Sequence, residues 1–267
     1  MNKKKMEFQL DKEFISIQNQ LTSNLEILCA DLHAIRLSLI NMPKLKEISI
    51  PNPYITYFLK EDINSFINHA KGNIDQILVR INNNYALNII NIFELKIKEA
   101  YGLLLALRKQ KSLSLSGKSL QEFYLGEMNK YKTLGVLVNE IIEKINSIDK
   151  NIIKDEDQYY NYFKNYILLR NCLSHKNGLV TNNEIDLEIR LPIITQAQID
   201  DAIKKGNINK INPKTLIKRW QLNEHIQLKL NEVEGIAYGL MKVSNVIIKH
   251  MYKVTDKHFA GLEKAGK

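Results

Sequence analysis

Arg170 and His175 stand five positions apart in the stretch RNCLSHKNG, residues 170–178. Their side chains complement each other chemically. An imidazole with a pKa of about 6.5 can take a proton from an oxygen or return one near neutral pH. A guanidinium keeps its proton, and its planar fork neutralises a phosphate whose charge builds in a transition state. The pair therefore suits RNA cleavage, with His175 moving the proton of a ribose 2′-hydroxyl or of the leaving 5′-oxygen and Arg170 holding the phosphate. Neither role needs a metal, and no cofactor is expected. The plainer alternative makes His175 a cation stabilising a helix C-terminus and pairs Arg170 with a core carboxylate.

A helix has to position both residues. Tyr159, Phe163, Tyr166, Arg170 and Leu173 recur at steps of four and three, which predicts a helix over 155–175 with these residues on one face. On an unbroken helix the side chains of Arg170 and His175 diverge by about 140°, at about 100° per residue. Asn177-Gly178 can end the helix in a left-handed turn. A helix ending near Ser174 would let His175 swing back over Arg170. A second copy of the chain is the other way to complete the site.

The run R-N-C-L-S-H has an arginine, a polar residue, three variable positions and a histidine, and it leads into an Asn-Gly turn. It resembles the motif of the HEPN superfamily (higher eukaryotes and prokaryotes nucleotide-binding). Members are compact helical bundles, many of them metal-independent ribonucleases of toxin–antitoxin, phage-exclusion and CRISPR-associated systems. The resemblance implies that Arg170 and His175 are catalytic and that Asn171 orients them. It also implies a homodimer in which two motifs face each other across a two-fold axis. The expected function is an endoribonuclease leaving a 2′,3′-cyclic phosphate, in toxin–antitoxin or antiphage defence, with RNA and an antitoxin or defence protein as partners. The alternative is a catalytically silent module of the same fold that binds a partner protein or a nucleotide.

Other residues add to this reading or fall away from it. Lys176 and Asn177 adjoin the histidine and can hold a flanking phosphate, although Asn177 also suits a turn. Tyr160 falls off the buried stripe and is free to stack on a splayed base. Glu94 interrupts an apolar run, either to reach Arg170 or His175 or, as the favoured reading, to pair with Lys98 on a wet face. Asp31, His33 and Arg36 read as a solvated face. His69, His225, His250 and His258 stand alone, in structural or surface roles. The GKS of SLSLSGKS lacks the upstream glycine and the strand of a phosphate loop.

The remaining elements are mostly helical. Phe14, Ile17, Leu21, Leu25 and Leu28 predict a long helix over 10–40. Pro43, Pro51 and Pro53 make 42–58 a connector. Helical spacing runs from 61 to 81, breaks at INNNY, and resumes over 86–111. A loop at SLSLSGKS precedes a helix over 120–148. Ile185, Leu187, Ile189 and Leu191 alternate as a strand does, and Thr195 with Gln198 has capping-box spacing for a helix to Ile203. Asn212-Pro213 is read as the start of a last helix from Lys214 to Tyr252. The fold expected is all-α: an antiparallel bundle of five to six long helices in one domain. It comprises an N-terminal helix and connector (1–55), bundle helices (56–180), a small insertion of hairpin or strand plus short helix (181–212) and a C-terminal helix (213–256).

Composition sets the outer limits. With 267 residues, 45% of them hydrophobic, the chain can bury a full core. A formal charge of +9 favours an anionic partner, although scattered lysines supply nearly all of it. Cys29 and Cys172 are the only cysteines, with no CxxC pair, so neither a cysteine-based zinc site nor a disulfide framework is expected. The basic N-terminus has no apolar segment behind it, and no run is long enough to span a bilayer, so a cytoplasmic setting without membrane contact is expected.

Overall fold

A computed structural model describes residues 3–41, 70–108, 140, 141, 143, 156–181, 187–207 and 210–265. The described residues are mostly helical, with a small antiparallel sheet. The elements are α1 (Lys3–Asn41), α2 (Ile74–Arg108), α3 (Glu156–His175), β1 (Leu187–Ile193), α4 (Gln196–Lys204), β2 (Lys214–Trp220) and α5 (Leu230–Ala265). The connector expected over 42–58, the SLSLSGKS loop and most of the helix expected over 120–148 lie outside the described residues. No described helix is long and apolar enough to cross a membrane.

The core forms where α1, α2 and α5 pack on one another, with α3 leaning on α2 and β1. On α1 the predicted stripe holds: Phe14, Leu21 and Leu25 are buried, and Ile17 and Leu28 pack against them. Ile89, Phe93, Ile97 and Leu104 of α2 meet Val233, Ile236, Leu240 and Ile247 of α5 in the same core. Each set recurs at three, four or seven residues, so one stripe per helix is removed from water. Tyr166, Leu169 and Cys172 do the same for α3 and fix which way Arg170 can face.

The structure corrects two expectations. The break at INNNY does not exist, because α2 runs unbroken from Ile74 to Arg108. Asparagine weakens a helix when its amide competes for nearby backbone. Here the amides are engaged elsewhere: Asn82 donates to the Leu228 carbonyl at 2.6 Å, and Asn83 donates to that of Ile226 at 2.7 Å. The Asn83 carbonyl also accepts from the Leu228 amide at 3.2 Å.

The helix expected from Lys214 is the second correction. KTLIKRW is strand β2, paired with β1 in a register that sets Leu187 opposite Trp220 and Leu191 opposite Leu216. A lone strand over 187–193 leaves its ladder unsatisfied, and Leu216, Lys218 and Trp220 alternate inward as a partner requires. The last helix begins at Leu230, where the Glu232 carboxylate accepts the Lys229 amide at 2.8 Å and the Lys218 ammonium at 2.6 Å. The insertion is therefore a two-stranded unit reaching to about residue 229. Within it the Thr195–Gln198 capping box is present as expected. Gly235 lets α5 approach this sheet, since a Cβ there would lie 2.8 Å from the Pro192 carbonyl oxygen.

Candidate functional site

The motif occupies the C-terminal end of α3. The helix continues through His175 rather than stopping at Ser174. Asn177 (φ 50°) and Gly178 (φ 80°) then form the left-handed turn expected of them. The Lys176 and Gly178 amides both return to the Cys172 carbonyl, at 3.2 and 2.8 Å, and cap the helix. Because the helix is intact to His175, Arg170 and His175 leave its axis about 140° apart within one chain.

Arg170 is part-buried and held on three sides. Its Nε donates to Asn91 Oδ1 at 3.4 Å, its Nη1 donates to Asn171 Oδ1 at 3.4 Å, and its Nη2 stands 4.0 Å from Glu94 Oε2. All three contacts are long, and 32% of the side chain is open to solvent, so the fork is oriented without being saturated. Asn171 thus touches its sequence neighbour Arg170. Glu94 is not on a wet face. It is 8% exposed, pairs with Lys98 at 2.5 Å, and turns its second oxygen towards Arg170. Both readings offered for it describe part of its environment.

His175 is exposed, and its ring has no partner among the described residues. Lys176 is part-buried and donates to the Thr181 hydroxyl. Asn177 is exposed at the turn. Tyr160 lies on α3, and its side chain is outside the described residues.

Beside the turn opens a cleft of about 840 Å³ between the first three turns of α2 and the extended chain at 225–227, with Leu173, Asn177 and Gly178 at its α3 end. Arg80, Asn84 and His225 line it. Their side chains make no hydrogen bond or ion pair among the described residues. Residues 178–180 pair with 223–226 through an isolated bridge between Leu179 and His225, so backbone hydrogen bonds tie the motif turn to one cleft wall. Sequence spacing does not single out Arg80 or Asn84, and it leaves His225 solitary. The signal for them is the amide-rich INNNY, which by local propensity reads as a break.

The other candidates do not form sites. His33 bonds Glu234 at 2.6 Å between α1 and α5, with about half of each side chain exposed, and Arg36 reaches Asn82 at 3.4 Å. Burial, and then Glu234, push the Cys29 thiol above its ordinary pKa, away from nucleophilic thiolate character. Among the described residues no group of three His, Cys, Asp or Glu side chains is placed to hold a metal ion. No protein-family model, curated protein or solved structure matches the chain.

Proposed function

We propose that the chain is a metal-independent endoribonuclease of the HEPN type, an antiparallel helical bundle that acts as a homodimer. The observation carrying this reading is the state of the two motif side chains: an oriented, unsaturated guanidinium and an exposed imidazole at one capped helix end. A buried, fully paired arginine and a covered histidine would have no such use. Since one chain sends the two groups about 140° apart, the site is composed across two copies, Arg170 of one facing His175 of the other. Asn171 and Asn91 orient Arg170 from either side, and Glu94 biases it electrostatically.

In this reaction the His175 ring accepts the proton of the ribose 2′-hydroxyl, whose oxygen attacks the adjacent phosphorus. His175 returns that proton to the leaving 5′-oxygen, and Arg170 offsets the charge gathered on the non-bridging oxygens. The product is a 2′,3′-cyclic phosphate and a 5′-hydroxyl. A role in toxin–antitoxin or antiphage defence, with a neutralising partner protein, follows from the resemblance of the motif alone. In the test, purified protein is incubated with single-stranded RNA in EDTA. Wild type cuts and leaves the cyclic phosphate, whereas His175→Ala does not. Cleavage that requires added Mg²⁺, or that persists without His175, removes this mechanism.

A further inference from the structure

The cleft beside the motif has no part in the chemistry above, yet its groups are of a kind that recognises nucleotides. Arg80 is exposed, and its side chain has no partner among the described residues. Gln76 and Asn84 stand one turn to either side of it on α2, and Gln227 faces them from the extended segment. Each of these amides offers both donors and an acceptor, as the edge of a base requires. Asp75 is the only acid among the described lining residues and can accept from an exocyclic amino group, while His225 presents a ring for stacking.

The cleft is also aligned with the motif. Successive residues on a helix turn by about 100°, so Arg80, Asn84 and Asn91 fall within about 40° of one another on one face of α2. Asn84 and Asn91 are both exposed. Asn91 accepts from Arg170, so this face runs from the cleft, past Leu87, to the guanidinium over about 16 Å of helix. The opposite wall, at 225–227, is supplied by the two-stranded insertion and fixed by Asn83.

We propose that this cleft binds the nucleotides flanking the cleaved phosphate, with Arg80 on a phosphate and Gln76, Asn84 and Gln227 on base edges. The insertion then acts as one wall of a substrate subsite. The proposal rests on the ribonuclease reading of Arg170 and His175, but it can be tested without any cleavage.

A fluorescein-labelled single-stranded RNA of mixed sequence is titrated with His175→Ala protein at fixed salt, and binding is read by anisotropy. Adding Arg80→Ala should weaken binding by about tenfold and Asn84→Ala by several-fold, with Arg80→Lys intermediate because it keeps the charge and loses the fork. Lys249→Ala removes the same charge from an exposed position on α5 and should leave binding within about twofold. Unchanged thermal unfolding of the exposed-site variants shows that the fold is intact. Equal weakening by Arg80→Ala and Lys249→Ala overturns the proposal, as does an RNA that does not bind. Competition by unlabelled 5′-mononucleotides assigns the cleft to free nucleotides, and its absence assigns it to an RNA strand. Cleft-dependent binding by a wild-type protein that cannot cut defeats the nuclease reading and leaves the cleft standing.

Discussion

Asn83 offers a quantitative test of how the helical frame holds the candidate site. Its amide makes two bonds to one extended segment, donating to the Ile226 carbonyl at 2.7 Å and accepting from the Leu228 amide at 3.2 Å. Ile226 and Leu228 are each 1% exposed, so both backbone groups are shielded from water while Asn83 is in place. Asn83→Ala removes two bonds of about 1 kcal/mol each and strands two buried backbone groups, for a total of about 2–3 kcal/mol. In urea, with a slope of about 3 kcal/mol/M, the midpoint should fall by about 0.8 M with the slope unchanged. Exchange of the Leu228 amide should accelerate in step. Asn83→Asp keeps the acceptor and loses the donor, so its loss should exceed half of that seen with alanine, because a carboxylate then faces the Ile226 carbonyl. A change below about 0.5 kcal/mol in Asn83→Ala, with Leu228 still protected, refutes the clamp.

Three further perturbations probe other parts of the account. Gly235→Ala gains about 1 kcal/mol of helix propensity, but its methyl lies 2.8 Å from the Pro192 carbonyl oxygen, a backbone atom that cannot rotate away. Overpacking should win by about 1–2 kcal/mol, and a rise in thermal stability contradicts the close approach. Glu94→Gln removes the charge opposite Lys98 and Arg170 and should cost about 1–2 kcal/mol by chemical denaturation; no loss means the carboxylate is not held as described. His250 is lowered below its ordinary 6.5 by burial and then by Lys253 and Lys249, and its Nδ1 is buried without a partner among the described residues. The unfolded chain therefore binds this proton more readily, so stability present above 6.5 is lost as pH falls through that value. His250→Gln should flatten that part of the pH–stability profile, and an unchanged profile excludes the assignment.

The long helices were legible because burial imposes a period of three to four on each: the stripe from Phe14 to Leu28, and the helix carrying Tyr166 and Arg170, needed only local spacing. The capping box at Thr195 was legible for the same reason, since its bonds span three residues. Two features depended on partners distant in sequence. Asn82 and Asn83 lie 143–146 residues from the segment they hold, and nothing local distinguishes such amides from helix-breaking ones. The Asn212-Pro213 signal was a valid local helix start, but the unpaired ladder of β1 made Lys214–Trp220 a strand. The motif was readable as residues; the cleft beside it was not, because its two walls come from chain segments about 145 residues apart.

The central claim is that each site joins the guanidinium of one copy to the imidazole of another. Arg170→Ala and His175→Ala proteins, each inert alone in EDTA, can be unfolded together, refolded and assayed for RNA cleavage. Random pairing makes half of the dimers mixed, each with one intact site of two, so about a quarter of wild-type activity should return. A mixture as inert as its components, beside a wild type that cuts, contradicts the composite site.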